Sequence, residues 1–245
     1  MIVISSQLFF CFFLFFFFIP HLSSGADTLD VNEYLSGDST LVSLDGNFEL
    51  GFFKPGEPPN YYIGIWYKKV KPTTVVWVAN RDTPISDKLS SKLKIIDGNL
   101  VLLDESSTQI WSTNEVSTTS SYATVVLLDD GNLVLRYGSS SSSSSSSSAS
   151  PPIWQSFNHP TYTFLPGSKI GYDKRTNTKQ VITSWRSNED PAVGLFSLEI
   201  DQNEMTYELM WNKSVSYRTS GPWDGRISSL VPEMRLILDV SGQIQ

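Results

Sequence analysis

The sequence predicts an all-β protein. Helix signals are nearly absent along the chain, and short β-branched and aromatic runs alternate with Gly, Asp, Asn, Pro and Ser at close spacing. An Asp-Gly-Asn turn also recurs, each time leading into an apolar run. The expected strands are Phe48 to Phe53, Tyr62 to Tyr67, Thr74 to Ala79, Leu100 to Leu103, Thr124 to Leu128 and Leu133 to Arg136.

The amino terminus reads as a leader. Leu8 to Ile19 is an unbroken apolar run of 12 residues, built mostly from Phe, too short to span a bilayer and of the right length for a signal-peptide core. Pro20 ends the run and Ser24-Gly25-Ala26 offers small residues for cleavage, so the mature chain is expected to start at Asp27. Met1 to Gln7 lacks Lys and Arg, a departure from the usual leader. Removing the first 26 of 245 residues leaves 219, enough for one large β domain or two of about 110 residues, each able to bury a core.

Composition narrows the function. The single cysteine, Cys11, lies in the leader, so the mature chain has no disulfide, no Cys-ligated metal and no Cys nucleophile. Its folding must rest on hydrophobic packing, for which seven tryptophans are available, and these are read as core. The net charge of −7, without a basic cluster, argues against nucleic acid. The one mature histidine, His159, precedes Pro160, and no G-x-S-x-G elbow is present, so no catalytic residue is assigned.

Aligning the turns suggests a repeat. Leu44 to Leu50, Ile96 to Leu102 and Asp129 to Leu135 are the three turn-and-strand copies, followed by Ile65-Trp66, Ile110-Trp111 and Ile153-Trp154. Three such units could close around a pseudo-threefold axis, each unable to bury its apolar face alone. Ser139 to Ser148 cannot pack and is read as an expanded hairpin tip within the third unit. After Phe157 the texture changes, and Gly194 to Ile200 suggests a second, related β domain.

Several segments resemble one family. Thr40 to Phe53, Tyr62 to Lys68 (YIGIWYK), Val75 to Ile85 (VVWVANRDTPI), Ile153 to Phe157, Pro160 to Gly167, Ser184 to Ser187 and Ser220 to Gly225 are similar to the bulb-type lectin and S-locus glycoprotein ectodomain of plant receptor-like kinases. The resemblance implies a β-prism over residues 27–157, with the serine-rich loop at 139–150, and an incomplete second lectin-like domain over 158–245. It implies an extracellular recognition module, secreted or on the outer side of the plasma membrane, with roles in pollen recognition or defence signalling. A protein, peptide or glycan ligand is expected, with a homodimer or receptor co-partner beside it. No cofactor, metal, nucleic acid or membrane span in this chain is expected. The chain contains no HRD or DFG, so the kinase of such receptors is not expected here.

In the mannose-binding relatives the sugar motif is Q-x-D-x-N-x-V-x-Y. Residues two apart on a strand face one way, so the five side chains are expected to line one surface. The second copy supplies Asp97, Asn99 and Val101, but Ile95 stands for Gln and Leu103 for Tyr. The third supplies Asp130, Asn132 and Val134, with Leu128 and Arg136 at its ends, and the first keeps only Asp45 and Asn47. A millimolar monosaccharide site is worth about −4 kcal/mol. Losing two hydrogen bonds at about 0.5–1.5 kcal/mol each pushes it to tens of millimolar. These residues are therefore read as a degenerate carbohydrate site, the alternative being a secreted mannose-binding lectin. Restoring Gln at 95 and Tyr at 103 is expected to recover mannose retention. Asp-Gly is also the preferred two-residue hairpin turn, which gives the same residues a purely structural role. Asn212-Lys213-Ser214 is an N-glycosylation sequon, with Asn212 the acceptor.

Overall fold

A computed structural model describes residues 25–115, 123–137, 151–173, 178–201, 203–204, 206–226 and 228–231. Most of the expected leader, the serine run and the chain beyond residue 231 lie outside the described residues. Among the described residues the regular structure is β, apart from one 3-10 turn at Ser156–Asn158.

Three antiparallel four-stranded sheets share one core. The first runs β3 (Leu41–Val42), β4 (Phe48–Phe53), β5 (Tyr62–Tyr67), β6 (Val75–Val78). The second runs β2 (Tyr34–Leu35), β7 (Lys92–Ile96), β8 (Asn99–Leu103), β9 (Gln109–Ser112). The third runs β1 (Thr28–Asp30), β10 (Ala123–Leu127), β11 (Leu133–Tyr137), β12 (Trp154–Gln155). Each sheet takes its outer strand from the first 42 residues and ends on a tryptophan strand. The expected strands therefore form within a residue or so of their predicted limits.

The register reveals the threefold relation. Cross-strand partners share a face, so each sheet contributes one row of side chains to the axis. The rows are Leu41, Leu50, Ile65 and Trp77; Leu35, Leu93, Leu102 and Trp111; and Leu29, Val125, Leu135 and Trp154. Leu50, Ile65, Leu93, Leu102, Val125 and Leu135 are wholly inaccessible to solvent. Burying each leucine, isoleucine or valine is worth about 1.5–3 kcal/mol, and a single sheet could not bury its row without the other two. This is the β-prism.

The first repeat unit differs from the sequence alignment by one strand. Asp97-Gly98 joins the second and third strands of its sheet, as does the Asp130-Gly131 turn. Asp45-Gly46 instead joins the first strand to the second. The tryptophan equivalent to Trp111 and Trp154 is thus Trp77 on β6, not Trp66. Trp66 sits on β5 and donates its indole N–H to Glu49 Oε2 at 3.1 Å. The turn sequence misled because Asp-Gly-Asn serves any tight reversal, whichever strands it joins.

A second sheet system follows. β13 (Gly171–Asp173) and β14 (Thr178–Gln180) pair, and β15 (Ile182–Ser187), β16 (Asp190–Asp201), β17 (Thr206–Trp211) and β18 (Val215–Thr219) form a four-stranded antiparallel sheet in chain order. Its own buried cluster is small: Ile170, Ile200 and Tyr207, with Ile182, Leu198 and Trp223 partly buried against it.

One arginine joins this sheet to the prism. Arg81 is buried, and its guanidinium donates to Pro191 O (2.7 Å), Thr161 O (3.0 Å), Thr183 Oγ1 (2.6 Å), Thr183 O (3.2 Å) and Ser184 O (3.0 Å). All five N–H donors of the fork are used. Burial pulls its pKa down from the usual value, and the neighbouring Asp82 charge opposes that. Asn80 turns back to its own sheet, accepting from Ile63 N at 2.8 Å, while Asp82 Oδ1 accepts from Val193 N at 3.2 Å. The Tyr162 hydroxyl, donating to Val75 O, adds a second tie.

Hydrogen bonds to a charged group are worth about 1.5–3 kcal/mol each, and orphaned buried carbonyls cost more. Arg81→Met is therefore expected to lower unfolding free energy by at least about 3 kcal/mol. Urea denaturation checks this; a loss under about 1 kcal/mol would mean that water replaces the fork at little cost.

Candidate ligand-recognition surfaces

The Asp-Gly-Asn segments form three different turns. Asp97-Gly98 is a two-residue hairpin with φ of 48° and 74°, the left-handed pair such a turn requires. The third turn is longer: Asp130 Oδ1 accepts from Asn132 N, and Gly131 N donates to Leu128 O. In the first turn, Lys69 Nζ donates to Asp45 O and Asn47 Oδ1, and Asp45 N donates to Asp129 Oδ1 at 2.7 Å. The first and third turns thus meet, while the second bonds within its own sheet.

Asn99 and Asn132 play matching roles. Asn99 Oδ1 accepts from Thr113 Oγ1 (2.9 Å) and Glu115 N (2.8 Å), and its Nδ2 donates to Glu115 O. Asn132 Oδ1 accepts from Ser156 Oγ and Phe157 N, both at 3.2 Å, and its Nδ2 donates to Gln155 Oε1 at 2.9 Å. Each amide clamps the start of its third strand to the residues just past the tryptophan. Both are already engaged before any ligand arrives.

The five motif positions do not share a face. Asn99, Val101 and Leu103 point outward, opposite Ile96, Lys94 and Lys92. Ile95 pairs with Leu100 and belongs to the core, 3% exposed. The hairpin at Asp97-Gly98 breaks the two-residue alternation on which the expectation rested. Gln at 95 would be buried, so that restoration does not rebuild a sugar surface. Val101 and Val134 are 2% and 1% exposed, leaving little apolar surface for a sugar ring. Their equivalent in the first sheet is Gly64, where an added Cβ would lie 2.5 Å from the Phe53 ring. Asn212 stands exposed on the turn between β17 and β18, with φ of 51°.

A concave site lies elsewhere, where the three tryptophan strands end. Trp77, Trp111 and Trp154 meet edge to face, with centroids 5.9–6.0 Å apart and interplanar angles of 69–77°. A cavity of about 480 Å³ opens beside them, bordered by Asp82, Ser112, Asn114, His159 and Thr161. The His159 ring stacks on Trp154 at 5.3 Å and 11°, and its carbonyl accepts from Trp77 Nε1 at 2.9 Å. Sequence reading set His159 aside as a loop residue and overlooked Arg81 and Asp82. The polar run Asn80-Arg81-Asp82 straight after an apolar strand was the available signal.

His159 is exposed as a residue, but desolvation where its ring stacks on Trp154 lowers the imidazole below its ordinary pKa. Protonation is then easier in the unfolded chain, so its stabilising contribution is complete above about pH 6.5 and is lost as pH falls through the lower folded value. The thermal midpoint is expected to drop as pH falls below about 6.5, and the drop should shrink in His159→Gln. An unchanged pH slope in that variant would show that another group governs it.

The described residues contain no helix long and apolar enough to cross a membrane. Comparison with known proteins places the chain. The D-mannose binding lectin family matches residues 74–186. A G-type lectin S-receptor-like serine/threonine-protein kinase of Arabidopsis thaliana is 52% identical over 96% of this chain and 27% of its own length. The receptor-like serine/threonine-protein kinase SD1-8 of the same plant is 45% identical over 88% of this chain and 25% of its own. S-locus-specific glycoprotein S6 of Brassica oleracea is 42% identical, covering 91% of this chain and 50% of that protein. The chain thus spans a quarter to a half of these relatives. A monomeric mannose-binding lectin from Gastrodia elata aligns at 20% identity and a TM-score of 0.38, covering 54% of this chain and 96% of that one. The fold assignment rests on the sheets themselves. The chain carries a match to the D-mannose binding lectin family and is similar to the corresponding part of G-type lectin S-receptor-like kinases and S-locus glycoproteins.

Proposed function

We propose that this chain is the ligand-meeting outer part of an extracellular recognition protein of the S-domain receptor type, serving pollen recognition or defence signalling. The observation that supports this is the distribution of similarity. Identity of 45–52% runs through 88–96% of this chain yet takes up only about a quarter of two receptor-like kinases. In this reading residues 1–26 are the secretion leader, 27–157 the bulb-type lectin domain and 158–245 part of a second lectin-like domain. The activity is binding, and catalysis belongs to parts of such receptors outside this chain.

The outer faces are read as a degenerate carbohydrate surface. Asp97, Asn99, Val101, Asp130, Asn132 and Val134, with Asp45 and Asn47, keep the residue types of a sugar motif. The hydrogen bonding of both asparagines and the burial of both valines favour a structural use. The alternative, a secreted mannose-binding lectin, draws support from the description of the matching family.

Expression in plant cells with the native leader separates the readings. The protein is expected in the medium, cleaved after Ala26 and carrying a glycan that Asn212→Gln removes. It is expected to flow through mannose-agarose. Retention that free mannose reverses would favour the lectin reading, and retention inside the cell would contradict the extracellular one.

A further inference from the structure

We infer that the cavity at the tryptophan ends of the three sheets is a binding site for a neutral sugar residue, separate from the outer-face motif. This rests on the recognition reading above and names a ligand class and a place for it.

The cavity, at about 480 Å³, falls in the size range of small-ligand sites. Its floor is aromatic, and its geometry selects the ligand. Because the three indoles meet edge to face, much of each π-face is covered by its neighbour. An indole edge carries positive potential and draws oxygen acceptors, and an indole face takes apolar C–H surface. Trp77 Nε1 is committed to His159 O at 2.9 Å, so one donor of the floor is already spent. Thr161 Oγ1 is buried without a partner at the cavity wall. In a protein interior such an orphaned hydroxyl is rare and calls for an explanation.

The charges point the same way. Arg81 borders the cavity, but its guanidinium N–H donors are all spent on Pro191, Thr161, Thr183 and Ser184. Desolvation against the Trp154 ring favours the neutral form of His159. Asp82 adds a negative charge at the border, which opposes anions. A ligand that is uncharged, offers apolar C–H surface to Trp111, and supplies both hydroxyl donors for Asp82 and oxygen acceptors for the indoles meets every group. A pyranose does so. A carboxylated sugar meets the Asp82 charge, and an amino sugar in its cationic form meets the indole edges.

The test is titration of the secreted full chain with free monosaccharides, namely mannose, glucose, galactose, N-acetylglucosamine and fucose, with galacturonate and glucosamine as charged controls. Tryptophan emission is the readout, because the floor itself reports. At least one neutral sugar is expected to shift the emission saturably, with both charged controls weaker. Trp111→Phe, which keeps a ring and loses the N–H, and Asp82→Asn are each expected to weaken that binding about three- to tenfold. Thermal midpoints of the variants confirm that they are folded. Binding that survives both changes but is lost in Asp130→Ala would overturn the axial site and leave the recognition reading intact, with the outer face as its surface. Absence of any saturable shift would also overturn the inference, while the secretion and glycan results would still judge the recognition reading.

Discussion

The structure depends on three indoles that meet on one axis. Trp77, Trp111 and Trp154 come from the last strand of each sheet, and their edge-to-face contacts fix how the sheets approach one another. Behind each lies a row of wholly buried aliphatic side chains. With Cys11 the single cysteine of the sequence, no disulfide within the chain can replace this closure. The aromatic contacts add about 0.5–1.5 kcal/mol per pair beyond the area they bury. Their larger effect is geometric, because they fix the meeting point of the sheets and so the register of the rows behind them.

The same strand that supplies Trp77 then leaves the prism and organises what lies next to it. Asn80 holds its own sheet, Arg81 holds five acceptors of the following chain, and Asp82 takes an N–H from β16. A buried guanidinium answered by carbonyls fixes position more than it adds stability, since desolvation offsets much of the hydrogen bonding. It holds the second sheet, whose own core among the described residues is only a few side chains, against a much larger one. The cavity lies beside this junction, so its floor belongs to the prism and part of its border, His159 and Thr161, to the segment that follows.

Much of the fold was legible in the sequence, and the reasons for the remainder are specific. Strands such as Phe48–Phe53 and Tyr62–Tyr67 could be read because alternation, β-branching and bounding turns agree there. The three-unit design was legible from repetition, but its first unit was misaligned. Asp45-Gly46-Asn47 reads like the other turns although it joins a different pair of strands. Only cross-strand pairing separates Trp77 from Trp66, and pairing is not local. The sugar motif was legible as residue types. Its geometry was not, because the turn at Asp97-Gly98 reverses the face on which Ile95 falls. Arg81 and His159 could not be placed from sequence, since their partners lie up to 110 residues away or are set by the tertiary approach of Trp154.

The central claim is that the three sheets form one unit closed at the tryptophan axis. Native-state hydrogen exchange on the full chain tests it most directly, read at the backbone amides of Leu50, Ile65, Leu93, Leu102, Val125 and Leu135. The account predicts that all six exchange only through one common global opening, with equal free energies, and that Trp154→Phe lowers the six together. If one sheet's pair exchanged far faster than the other two, or if Trp154→Phe loosened the third sheet alone, the sheets would be separate units and the threefold closure would be contradicted.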